Sequence, residues 1–113
     1  MIYLASVYSL NADADLMQKR FEFVRDFVAA NIHDEPLFSP ILYTHDLAKI
    51  HRLPKKYDFW QARDRHFIEC CSEVWVLTMP GWKDSIGVTD EINYALEIGK
   101  QVKLIPVSEI YSE

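Results

Sequence analysis

"VWVLTMPGWKDSIGVTDEINYALEIGKQVKLIPV", residues 74–107, decides how this chain folds. Its first six residues, Val74–Met79, are short, β-branched and aromatic, and read as a strand. A turn follows over Pro80–Ser85, and then Val88, Ile92, Ala95, Leu96 and Ile98 recur on or near one face of a helix. Gly99 suits the end of that helix, and residues 101–107 read as a second strand. A helix joining two strands over this length is a crossover connection, which makes the two strands parallel.

The rest of the chain repeats the alternation. "IYLASVY", residues 2–8, is an apolar run of the kind found in a strand buried on both faces. A helix is predicted next, with Leu16, Phe23, Phe27 and Ala30 at helical spacing and Asp13 or Asp15 as its cap. "PLFSPILY", residues 36–43, reads as a strand at a sheet edge, because Pro36 and Pro40 exclude an interior position. A short helix and loop then run to Pro54. "YDFWQARDRHFIECCSE", with Phe59, Trp60, Arg63, Phe67, Ile68 and Cys71, reads as an amphipathic helix leading into Val74.

This order predicts an α/β fold: a small open parallel sheet of about four to five strands with helices on both faces, a flavodoxin-like or Rossmann-like sandwich. At 113 residues, half of them hydrophobic, the chain is read as a single domain over 1–113.

Charge and composition narrow the function. Twelve Lys and Arg against 17 Asp and Glu give a net charge of −5, which offers nucleic-acid polymers and anionic membranes little attraction. No apolar run reaches the roughly 18 residues of a membrane span. Cys70 and Cys71 are adjacent, a poor geometry for a mutual disulfide, and read as buried thiols. The opening residues lack the basic stretch of a signal peptide, so a reducing, cytoplasmic setting is expected. His33, His45, His51 and His66 show no metal-ligand spacing and read as surface or loop residues. Neither a metal nor a cofactor is expected.

Open parallel sheets bind ligands beyond the carboxyl ends of their strands. That places three loops in view: Ser6–Asn11, Tyr43–Tyr57 and Pro80–Thr89. No glycine-rich dinucleotide fingerprint or P-loop occurs among them. The third loop is the richest in chemistry. Gly81 and Gly87 permit close backbone approach, Ser85 offers a hydroxyl, and the helix start presents free amides to an anion. Glu91, about one turn further on, could attack an anomeric carbon or stabilise the charge growing there. The same residues also read as ordinary capping, with Asp84 or Ser85 as cap and Asp90 and Glu91 favouring the positive helix end.

Asp64, between Arg63 and Arg65, reads either as a hydrogen-bonding partner of a sugar hydroxyl or as half of a solvated ion pair. Tyr8, Trp60 and Trp82 have flat faces able to stack on a nucleobase, although Trp60 also suits a core position.

The opening "IYLAS.YS", the strand "VWVL" and the segment "GW..S.GV..E...A...GK.V" resemble the nucleoside 2-deoxyribosyltransferase superfamily, in particular its small single-domain members. The resemblance implies a Ser-x-Gly-x-x-x-Glu site matched by Ser85, Gly87 and Glu91. Glu91 would attack the anomeric carbon of a 2'-deoxyribonucleoside or its monophosphate and expel the base. Ser85 and Gly87 would hold a 5'-phosphate, while Tyr8, Ser6 and Ser9 line the sugar and base. The family also uses an aspartate before the third strand, for which Asp64 is the candidate, although Arg65 falls at the matching count. A homodimer or higher homo-oligomer is implied too, with the "SEIYSE" tail able to reach a neighbouring site.

Overall fold

The computed structural model describes residues 1–34, 36–51 and 57–107. Among them, β1 (Ile2–Ala5), β2 (Leu37–Phe38), β3 (Glu73–Leu77) and β4 (Gln101–Ile105) form a parallel sheet in the order β2-β1-β3-β4. The helices are α1 (Ala14–Ala30), α2 (Pro40–His51), α3 (Tyr57–Cys70) and α4 (Ile86–Glu97), with a 3₁₀ turn at Trp82–Asp84. The fold expectation holds, at four strands.

The chain moves in one direction along the sheet from β1 to β2 and in the other from β2 to β3 and on to β4. Right-handed crossovers of opposite direction put their helices on opposite faces. β1 and β3 are therefore enclosed on both faces as well as on both edges. All four residues of β1 are buried, which explains a continuous apolar run where a half-exposed strand would alternate. Parallel register places Tyr3, Val74 and Val102 side by side on one face and Leu4, Trp75 and Lys103 on the other. Tyr3, Leu4, Val24, Ile68, Val76, Leu77, Val88 and Ala95 are among the buried core residues.

Local chemistry sets the helix ends. Asp13 caps α1, its carboxylate accepting from the Leu16 amide at 2.9 Å. At the other end of α4, Gly99 adopts φ +81°, the Lys100 amide reaches the Ala95 carbonyl at 2.8 Å and the Gly99 amide reaches Leu96 at 3.1 Å. That paired closure is the Schellman arrangement that a glycine permits.

Several expectations need correction. Residues 36–43 are not one strand: only Leu37–Phe38 pair with β1, and α2 begins at Pro40. Proline is well suited to a first helical position, where its missing N–H would have no partner. Ser39 precedes it and accepts from the Leu42 amide at 3.3 Å. The short helix expected before Pro54 is the later part of α2, which begins earlier, at Pro40, while Pro54 and residues 108–113 lie outside the described residues. In α1 the buried positions are Arg20 and Val24, and Ala30 is exposed. In α4 they are Val88, Glu91 and Ala95, whereas Leu96 and Ile98 are exposed. Cys71 is buried but Cys70 is exposed. No described helix is long and apolar enough to cross a membrane.

Candidate active site

Three elements bring acidic and phenolic groups together within the fold. Tyr3 comes from β1, Asp64 from α3 and Glu91 from α4. The Tyr3 hydroxyl donates to Glu91 Oε2 at 2.8 Å. Glu91 is only 4% exposed and Asp64 only 5%, and their carboxyl groups hydrogen-bond to each other.

Two carboxyls can share a hydrogen bond only with a proton between them. Burial supplies the reason that they keep one. It lifts Asp64 from 3.8 to about 6, against the bond from Glu91, which lowers it. It lifts Glu91 well above the ordinary carboxylic range too, helped by the adjacent Asp64 charge and opposed by the Tyr3 hydroxyl. While the two carboxyls share that bond, the pair carries one proton and one negative charge.

The alternative of a solvated ion pair at Asp64 is overturned. Arg65 takes that role, gripping Asp90 of α4 through Nε to Oδ2 at 3.1 Å and Nη2 to Oδ1 at 2.5 Å. Its guanidinium also lies 4.8 Å from the centre of the Tyr94 ring. Residues 64 and 65 are consecutive on α3, and 90 and 91 on α4. The outer clamp thus sets the spacing of the two helices at the level of the inner carboxyl pair.

Ser85 is the cap of α4, its Oγ accepting from the Val88 amide at 3.2 Å. Asp84 lies in the preceding 3₁₀ turn and Asp90 is held by Arg65, so neither caps this helix. Gly87 is in the first turn, whose amides point beyond the helix end. Glu91 lies six residues beyond Ser85, or about 9 Å along the axis at the usual helical rise.

The first and third loops meet through Arg20, a residue the sequence did not single out. Buried in α1, it donates to the carbonyls of Tyr8 at 2.8 Å and Leu10 at 2.9 Å. Gly81 packs against the same group: a Cβ there would stand 3.8 Å from Arg20 Nη2 and 3.5 Å from the Leu10 side chain. Its φ of +93° is a left-handed conformation that glycine accepts readily. Trp82 next to it is partly buried against the core, so packing accounts for part of its placement.

Of the first-loop candidates, Tyr8 is half-buried and its hydroxyl bonds to His45 Nδ1. Ser9 is exposed. Ser6 Oγ is buried with no partner among the described residues. Trp60 is partly buried with the Arg63 guanidinium 5.7 Å from its ring centre. His45 departs from the surface reading of the histidines: it is 6% exposed and stacked on Phe21 with ring centres 4.1 Å apart. Tyr3, the other missed residue, had a signal in the sequence, since a tyrosine in a fully buried strand needs a partner for its hydroxyl. Among the described residues no group of three or more His, Cys, Asp and Glu side chains is placed to hold a metal ion.

A family model described as "Domain of unknown function (DUF1937)" matches residues 1–107. The chain belongs to the DUF1937 family. The DUF1937 match runs from β1 through β4, so Tyr3, Asp64, Ser85 and Glu91 all fall within it. No curated protein matches the chain.

Proposed function

We propose that this protein cleaves or transfers at the N-glycosidic bond of a (deoxy)nucleoside or its 5'-monophosphate, with Glu91 as nucleophile. The observation that carries the reading is the buried Tyr3–Glu91–Asp64 cluster, two carboxyls and a phenol joined by hydrogen bonds between β1, α3 and α4. A carboxylate in a poorly solvated site interacts strongly with positive charge developing at an anomeric carbon. As that charge grows, the negative charge of the pair is drawn to Glu91 and the shared proton settles on Asp64. Glu91 then bonds to the carbon as the base departs, and water or a second base displaces it.

The contact between the carboxyls is closer than the ~5–5.5 Å separation of a retaining glycosidase pair, in which the two groups flank the bond. Asp64 accordingly acts on Glu91 from the same side. Ser85 has already accepted the Val88 amide, yet its own O–H remains free to donate to a phosphate oxygen. The first-turn amides at Ile86 and Gly87 favour the same anion.

Incubation with a panel of nucleosides and 5'-monophosphates, with free base separated by chromatography, tests the reading. Release by the wild type and its loss in Glu91→Gln are expected. No release from any member, or release unchanged by the substitution, overturns it.

A second reading, a nucleotide-binding module without turnover, has one observation in its favour: Tyr3 and Asp64 already engage the Glu91 carboxyl, which is closed off from solvent. It predicts that a nucleotide raises the melting temperature of wild type and Glu91→Gln alike, with no product from either.

A further inference from the structure

Four side chains of α1, the first loop and α2 form a chain of hydrogen bonds whose direction can be worked out. Gln18 Nε2 donates to Glu22 Oε2 at 3.0 Å. An ionised carboxylate only accepts, so the amide nitrogen of Gln18 must face Glu22 and its oxygen must face the other way. That oxygen meets His45 Nε2 at 3.1 Å. Nε2 must therefore carry a hydrogen, and in a neutral imidazole this leaves Nδ1 as the acceptor. The group at Nδ1 is the Tyr8 hydroxyl, whose proton is then spent on His45. Stacking on Phe21 holds the ring in the plane these bonds require, with interplanar angle 14°.

We propose that the Glu22–Gln18–His45 chain makes Tyr8 a hydrogen-bond acceptor toward the ligand and so selects a nucleobase that presents an exocyclic amino group. The inference rests on the nucleotide reading above. Tyr8 is anchored by His45 of α2, and Glu91 by Tyr3 of β1 and Asp64 of α3. In-line attack by Glu91 sends the base away from the carboxylate, and a base that meets Tyr8 finds a phenol oxygen with only lone pairs to offer. An amino group satisfies them, and a keto oxygen at the same place meets another acceptor. A site built for a donor rejects the analogue that lacks it, because its buried polar atom is left unpaired.

Tyr8 acts on specificity directly; Gln18 and His45 are positioning residues. Calorimetric titration of the Glu91→Gln protein with the monophosphates of deoxyadenosine against deoxyinosine, and of deoxycytidine against deoxyuridine, tests the selection without turnover. The amino member of at least one pair should bind about ten-fold more tightly, one good hydrogen bond in affinity. Adding Tyr8→Phe should reduce that ratio to near unity. Gln18→Leu, which releases the tautomer without approaching the ligand, should narrow it as well. In the wild type, the nitrogen chemical shifts of His45 should report the Nε2–H form.

Equal binding, preference for the keto members, a ratio that survives Tyr8→Phe, or an Nδ1–H form overturns the proposal. Base release without amino selection defeats this inference alone, and amino-selective binding without release defeats only the catalytic reading. Failure of every nucleotide to bind defeats both.

Discussion

Replacement of Asp64 by asparagine should change how stability depends on pH, in a direction set by the burial of this carboxyl. Asp64 titrates near 6 in the folded chain against 3.8 when solvated, chiefly because burial penalises its charge. Between those values the folded state holds a proton that the unfolded chain has released. The stability Asp64 contributes is therefore fully present below about pH 3.8 and is lost as pH rises through about 6. At ~1.4 kcal/mol per unit, the loss amounts to about 3 kcal/mol. Asparagine is nearly isosteric, carries no charge and can donate an amide hydrogen to Glu91. Glu91 also loses a like-charged neighbour, a change of the same sign.

The stability of Asp64→Asn relative to wild type should thus increase by about 3 kcal/mol between pH 3.5 and pH 8, which corresponds to about 1–3 M in urea midpoint. Urea unfolding of both proteins at half-unit intervals of pH measures it, and the difference between them removes the titration of carboxylates remote from the pair. Two curves that stay parallel over the whole range would refute the claim that a buried, proton-sharing pair exists. If the proposed chemistry is right, the more stable variant is also the less active one, since a site held against its own stability is a common cost of function.

Other substitutions probe the supports of the site. Tyr3→Phe removes the donor to Glu91 and should cost about 1–3 kcal/mol in urea unfolding. It should also raise the Glu91 carboxyl further, which moves the acid limb of the pH–rate profile upward. Ser85→Ala removes the α4 cap and should cost about 1 kcal/mol, seen calorimetrically as a melting point lower by about 4–8 °C. Gly81→Ala should cost about 1–3 kcal/mol through its left-handed backbone, because the space for a Cβ is adequate and the φ of +93° is not. A melting point unchanged by that last substitution would mean the turn rearranges freely.

Much of the architecture was legible because it depends on local pattern. The apolar runs at Ile2 and Val74, the intervening helical periodicities and Gly99 each act over a few residues, and right-handed crossovers leave few ways to assemble them. Pro40 misled because proline suits both an edge strand and the first turn of a helix, and only the Ser39 cap distinguishes the two. The carboxylate of Glu91 and the serine before its helix were also visible, as residue types at a helix start.

The alternation of strands and helices, and the reactive residue types in and after the third loop, are properties of local pattern alone. The tertiary structure decided which of those groups meet. A single step along α3 rotates a side chain by about 100°, and that rotation turns Asp64 inward to Glu91 while Arg65 turns outward to Asp90. No reading of "ARDRHF" alone distinguishes those two fates, because the choice belongs to the packing of α3 on α4. The same holds for His45 and Gln18, which stand 27 residues apart. Their bond requires that α1 and α2 lie together, and with it comes the direction in which Tyr8 presents its oxygen.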